Sequence, residues 1–210
     1  MTSKQRGGTL DEFHARLKAE GRWDEYIAMK EEKALRRTEK RTRLRDEQAP
    51  LLADLRAAGF DVKSVWDFVN TSDSYPAAIP VLLKHLTHLY SGPIREGIGR
   101  ALAVREARSA WPMLADLYRK EPTPSQPGRC LKDGLAVALS ETVTDATMDE
   151  LIALAKDRSH GESRLLLLSA LKGSKLPIAK TAIAELADDP DLAKEIASWR
   201  LGAHSDEIGH

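Results

Sequence analysis

Three groupings of side chains in this 210-residue chain have types and spacings on which chemistry could be built. His85 and His88 stand three apart, which places two imidazoles on one face of a helix, as a metal site requires. No carboxylate or cysteine follows four residues on to complete a ligand set, and Leu82, Leu86 and Leu89 claim the core side, so the pair is read without a metal. Cys130 is the one cysteine. It excludes a disulfide framework and a Cys-rich zinc site, and with no histidine paired to it in sequence it reads as a small packing residue rather than a nucleophile. The third grouping is Leu35 to Arg45, six basic residues and one acid. Arg36, Arg37, Lys40, Arg41, Arg43 and Arg45 could lie on phosphates, each contact adding a salt-dependent increment. Glu31, Glu32, Asp46 and Glu47 flank them and no aromatic is interleaved to stack on bases, which favours a solvated helix face. His160 sits in a turn before Gly161 and is expected in solvent. No phosphate-binding loop, Ser–His–Asp order or paired-carboxylate motif occurs, so no cofactor is expected and the chain is read as non-enzymatic.

The elements that must position these residues follow from composition and periodicity. With 42% hydrophobic residues the chain can bury a core, and 32 basic residues balance 32 acidic ones. That neutrality excludes the overall basic character of a nucleic-acid binder but leaves a local patch open. The first thirty residues have no signal-type apolar core, and no segment approaches the ~18 apolar residues of a membrane span. The chain is therefore expected to be cytoplasmic, with no membrane partner. Aromatic residues are only 5%, no strand-like alternation occurs, and apolar residues recur at three and four, as in Leu82, Leu83, Leu86 and Leu89. The fold class is all-α.

Residues 1–8 are polar and expected to be a disordered tail, and residues 203–210 read as a C-terminal tail. Leu10 to Glu20 carries Leu10, Phe13, His14 and Leu17 on one helix face and is stopped by Gly21. A long charged helix runs from Trp23 to about Gln48, Pro50 opens another through Ala58, and a short one covers Ser64 to Asn70. Residues 9–75 read as an N-terminal helical cap.

Residues 76–202 repeat. Ile94–Leu102 aligns with Leu131–Leu139 at a spacing of 37 residues, then with Ser163–Leu171 after 32 more and Ala193–Leu201 after 30. Arg95 matches Lys132, Arg164 and Lys194, Glu96 matches Asp133 and Glu195, and Gly97 matches Gly134. Each segment follows another short helix, giving four helix pairs. A single pair cannot bury its apolar face, so such units are stable only when stacked.

At Ala78-Ile79-Pro80-x-Leu82-Leu83 followed by Ile94-Arg95 and Ala101-Leu102, and again at the turn Ala187-Asp188-Asp189-Pro190-Asp191-Leu192, the chain resembles HEAT-like repeats of the short type found in bacterial proteins and phycobilisome lyases. The resemblance implies a right-handed α-solenoid of about four HEAT-like pairs over residues 76–202. It departs from the pattern at the insertion Pro122–Pro127 and at Leu165 and Leu166, where other copies are polar or small. Such repeats serve scaffolds, inhibitors, immunity proteins and a few enzymes, so the fold is nearly silent on activity.

The resemblance frames the functional expectations. The favoured one is a non-catalytic recognition module binding a protein partner on the concave face of the second helices, with Arg95, Glu96, Arg100, Lys132, Asp133 and Arg164 as contacts. Against it stands the family habit of a basic residue that packs its stem between helices and pairs with turn acids. Arg100 and Arg105 stand apart, because Val137 and Ser169 fill the register of Arg100 in later copies. A second expectation is nucleic-acid binding through Arg36 to Arg45 and the basic ridge. A third is an enzyme similar to the HEAT-like family that excises alkylated bases with Trp and Asp, for which Trp66, Trp111 and Trp199 with Asp67 and Asp116 would be needed in one cleft.

Overall fold

The computed structural model describes residues 9–123 and 128–203. The tails expected at 1–8 and 203–210 lie outside these residues apart from Ala203, as does the middle of the proline-rich insertion, 124–127. The described residues form twelve α-helices and four short 3-10 turns and no strand. No helix among them is long and apolar enough to cross a membrane. The chain divides into two compact units, Met1–Asp46 and Glu47–His210.

The first unit holds α1 (Leu10–Ala19) and nearly all of α2 (Trp23–Glu47). Thr9 and Glu12 close a reciprocal capping box at the start of α1, satisfying two otherwise unpaired N–H groups. Gly21, at φ 68°, takes the left-handed conformation that ends it. Phe13, His14, Trp23 and Tyr26 form an aromatic cluster with ring centroids 5.2 to 5.9 Å apart, beside the buried Leu17. Beyond it α2 buries no residue.

The second unit holds α3 (Ala49–Ala57), α4 (Trp66–Val69) and four helix pairs: α5 (Ile79–Leu86) with α6 (Gly92–Ala101), α7 (Trp111–Lys120) with α8 (Leu131–Thr142), α9 (Met148–Lys156) with α10 (Arg164–Gly173), and α11 (Pro177–Leu186) with α12 (Ala193–Ala203). The second helices pack in series, α8 against α6 on one side and α10 on the other, while α7 covers α8 and both α9 and α11 cover α10. Leu82, Ile98, Leu102, Leu114, Leu135, Leu139, Leu151, Leu167 and Leu171 are fully buried between them, each contributing roughly 1.5–3 kcal/mol of transfer free energy.

The compact unit containing the pairs begins at Glu47, because α3 packs on α5 and α4 on α6; no periodicity in residues 47–75 announces those contacts. One feature differs from the sequence expectation. His160, expected in solvent, is 4% exposed. Gly161, at φ 62°, reverses the backbone there, and the imidazole lies edge-on to Tyr118 at 4.7 Å. Burial, then the nearby Lys132, lowers its pKa.

The glycines shared by the repeats have a steric reason. A Cβ on Gly134 would lie 2.6 Å from the Glu96 carbonyl oxygen, and one on Gly99 2.7 Å from the Gly134 carbonyl carbon. On the other side of α6, a Cβ on Gly97 would lie 2.6 Å from Val65 Cγ1 and 2.9 Å from Trp66 Nε1. Absent side chains are what let α6 approach both α8 and α4.

Candidate functional site

Two of the four basic residues that recur at the start of the second helices turn inward. Lys132 is 1% exposed and Arg164 is fully buried. Lys132 Nζ donates to the carbonyls of Tyr118 (3.2 Å) and Glu121 (2.6 Å) at the C-terminal end of α7. Arg164 donates to the Ala155 carbonyl near the end of α9 (3.3 Å), to both carboxylate oxygens of Asp189 (2.9 and 3.3 Å) and to Asp191 (2.7 Å). Arg95 forms a two-pronged pair with Glu121 at 2.9 and 2.8 Å. Helix C-termini present unpaired carbonyls and a partial negative charge, so a cation from the neighbouring helix satisfies both. The Arg164 guanidinium holds the Asp189 carboxyl at about 2.

Of the six residues expected as contacts, Lys132, Arg164 and Glu96 are thus corrected: each is at least 95% buried, Lys132 bonded to the first helix of its own pair, Arg164 to α9 and the turn after α11, and Glu96 to Arg100 on its own helix. Arg95 and Asp133 are half-buried. Arg100 alone lines an open depression, with its Nε donating to Glu96 at 2.7 Å. The ridge proposed for nucleic acid is therefore not a surface, whereas Arg36, Arg37, Lys40, Arg41, Arg43 and Arg45 of α2 are all exposed.

What the second helices do present is a trough. A depression of about 550 Å³ is lined by Phe68, Tyr75, Arg100, Arg105 and Glu106 among others. A second, of about 280 Å³, is lined by Leu165, Leu166, Ser169, Lys172 and Trp199. Val137 and Glu141 of α8 border both, so the two run together. Arg100, Val137 and Ser169, which share a register in the repeat, all lie along it. The difference in type at that register was the sequence signal for the trough. Nothing in sequence distinguished Glu141 or Lys172, whose position depends on how far each helix extends past the aligned segment.

The remaining chemical groupings are accounted for locally. His85 is buried, with Nε2 2.9 Å from Asp54 and Nδ1 2.7 Å from the Tyr90 hydroxyl, and His88 stacks on it at 4.7 Å. Lys84 and then His85 hold the Asp54 carboxyl at about 2. Burial pushes the Cys130 thiol up, away from thiolate. Trp111 is buried and donates to Glu150 at 2.5 Å. Trp66 is half-buried, donates to the Pro93 carbonyl at 3.1 Å, and carries Arg129 4.1 Å above its ring. Asp67 accepts the backbone N–H groups of Lys63 and Ser64, and Asp116 pairs with Lys120. Neither aspartate lines the trough. Trp199 does, with its indole N–H donated to Glu195 at 2.9 Å and Lys172 over its ring at 4.9 Å.

Comparison of the chain with protein-family models, curated proteins and solved structures finds no match.

Proposed function

We propose that the four helix pairs make a short right-handed α-solenoid of HEAT-like type, and that its trough recognises an extended segment of a protein partner without catalysis. One observation carries this reading. Residues that the stacking needs repeat from pair to pair, whereas the trough register changes from Arg100 to Val137 to Ser169. Stacking alone would let that register repeat or drift among solvated types. Instead it joins Leu165, Leu166 and Trp199, half-buried apolar groups in an open depression. The chemistry suits a segment with an apolar side chain seated near Leu166 and an acidic group toward Arg100 and Arg105. Such charges set orientation and association rate more than affinity, and a preformed trough requires little reorganisation on binding.

Affinity capture from nuclease-treated native lysate tests it with three baits. The wild-type chain should retain one protein in near-stoichiometric amount at about 0.15 M salt, an ionic strength that screens exposed charges beyond ~8 Å. Leu166→Asp combined with Ser169→Arg should lose it, and Met113→Asp, exposed on α7 outside the trough, should keep it. Equal retention by all three baits would overturn the assignment of the trough.

A further inference from the structure

The long helix α2 sorts its charges. Lys30, Lys33, Arg37 and Lys40 follow one another at steps of three and four, and Arg41 stands four beyond Arg37, so the five share one face. Glu25, Glu32, Glu39 and Asp46 stand seven apart on the other, where Arg36 and Arg43 lie among them. The five cations are exposed, and among the described residues none lies within ion-pair distance of a carboxylate. The two pairs formed in this stretch, Arg36–Glu32 and Arg45–Asp46, sit beside the stripe, not in it.

This arrangement costs the helix stability. Lys30 with Lys33, Lys33 with Arg37, and Arg37 with both Lys40 and Arg41 are like charges three or four apart, each pair unfavourable by a few tenths of a kcal/mol. Interspersing the same glutamates among the same cations would have turned those penalties into gains. A surface helix kept only for solubility has no reason to segregate them.

We infer that this stripe is a seat for the phosphate backbone of a nucleic-acid duplex. From Lys30 to Arg41 the helix advances about 17 Å, over which one strand of a duplex presents about five phosphates, a rigid array opposite a rigid row of five cations. Single strands are not favoured, because no aromatic lies among the cations to take a base. A lipid surface is not favoured either, because α2 has no apolar face to enter it: Trp23 and Tyr26 are engaged by α1, and Met29 and Leu35 fall off the stripe. An acidic peptide offers charge without the fixed spacing. The contact is to backbone only, so it is insensitive to base sequence.

The test uses the full chain with DNA and RNA duplexes of about 25 base pairs, titrated between about 50 and 200 mM salt. Four to five phosphate contacts predict a log–log salt slope near −4. Changing Lys33, Arg37, Lys40 and Arg41 to Gln together should weaken binding at least about tenfold at low salt while leaving the helical circular dichroism unchanged. Lys40→Gln with Arg41→Gln should fall between, and Glu32→Gln with Glu39→Gln should bind as well or better. No duplex binding at low salt would overturn the inference. So would binding that survives the fourfold change, or retention of polyglutamate or anionic phosphatidylserine vesicles as strong as that of either duplex.

Discussion

Arginine and lysine occupy two regions of this molecule to opposite ends. At the starts of α8 and α10, Lys132 and Arg164 are withdrawn from water and spend their donors on helix C-termini and turn carboxylates. Along α2, Lys30, Lys33, Arg37, Lys40 and Arg41 lie exposed, with no carboxylate within ion-pair distance among the described residues. Lys194, the counterpart of Arg164 in the last pair, is exposed. The lesson concerns periodicity. A charge that recurs once per repeat answers a demand the repeat itself makes, namely to satisfy the carbonyls left at the end of the preceding helix. A charge row that runs along one helix face, against that helix's own electrostatic interest, answers a demand from outside.

Breaking the buried set should give the largest effect. Arg164→Ala removes the cation that Asp189 and the Ala155 carbonyl share, leaving the 94%-buried carboxylate with Arg158, 3.0 Å away, as its one cationic partner among the described residues; about 3 kcal/mol of unfolding free energy should be lost in urea titration. Replacing Arg164 by Met and Asp189 by Leu together should recover much of that loss, which would separate the cost of orphaning a charge from the worth of the pair. Gly134→Val places carbon atoms on the Glu96 carbonyl and should cost roughly 1–3 kcal/mol through overpacking, read in the same titration.

Acid should act on the buried Asp189 and on the half-buried Asp54. Asp189 and Asp54 are held at about 2 in the folded chain against an ordinary 3.8. A carboxyl depressed by folding stabilises above its unfolded pKa and loses that contribution as pH falls toward the folded value. The melting temperature should therefore drop between about pH 4 and pH 2, and Asp189→Asn should lower stability at neutral pH while flattening that dependence. The smallest effect belongs to α2. Neutralising Lys33, Arg37, Lys40 and Arg41 should move the melting temperature little, and upward if at all, since the change relieves repulsion at exposed positions. A large loss of stability there would mean the stripe is structural and would erase the contrast between the two regions.

Arg100 tests the boundary between them. It lines the trough, yet its Nε holds the buried Glu96, so Arg100→Glu would set two carboxylates together and unfold part of what it was meant to probe. Leu166 and Ser169 are cleaner probes, half-buried and exposed, with no side-chain ion pair to break.

The helices themselves were legible from sequence. Periodic leucines and the proline starts placed the α-helices of the four pairs, and Gly21 and Gly59 the ends of α1 and α3, because those signals act within a few residues of one another along the chain. The aligned glycines at 97 and 134 were visible too, although why they recur was not: the reason is a carbonyl or an indole on another helix. Burial of Lys132, Arg164 and His160 was decided only by the tertiary structure. A long cationic side chain looks the same in sequence whether it reaches water or a carbonyl two helices away, and the choice depends on which helix end lies beneath it. The trough was half-determined. Its register could be read from Arg100, Val137 and Ser169, but its depth comes from Phe68, Tyr75 and Trp199, brought there by α4, the turn before α5, and α12. Local spacing sets which face a residue shares, and only the packing of one helix on another sets what that face meets.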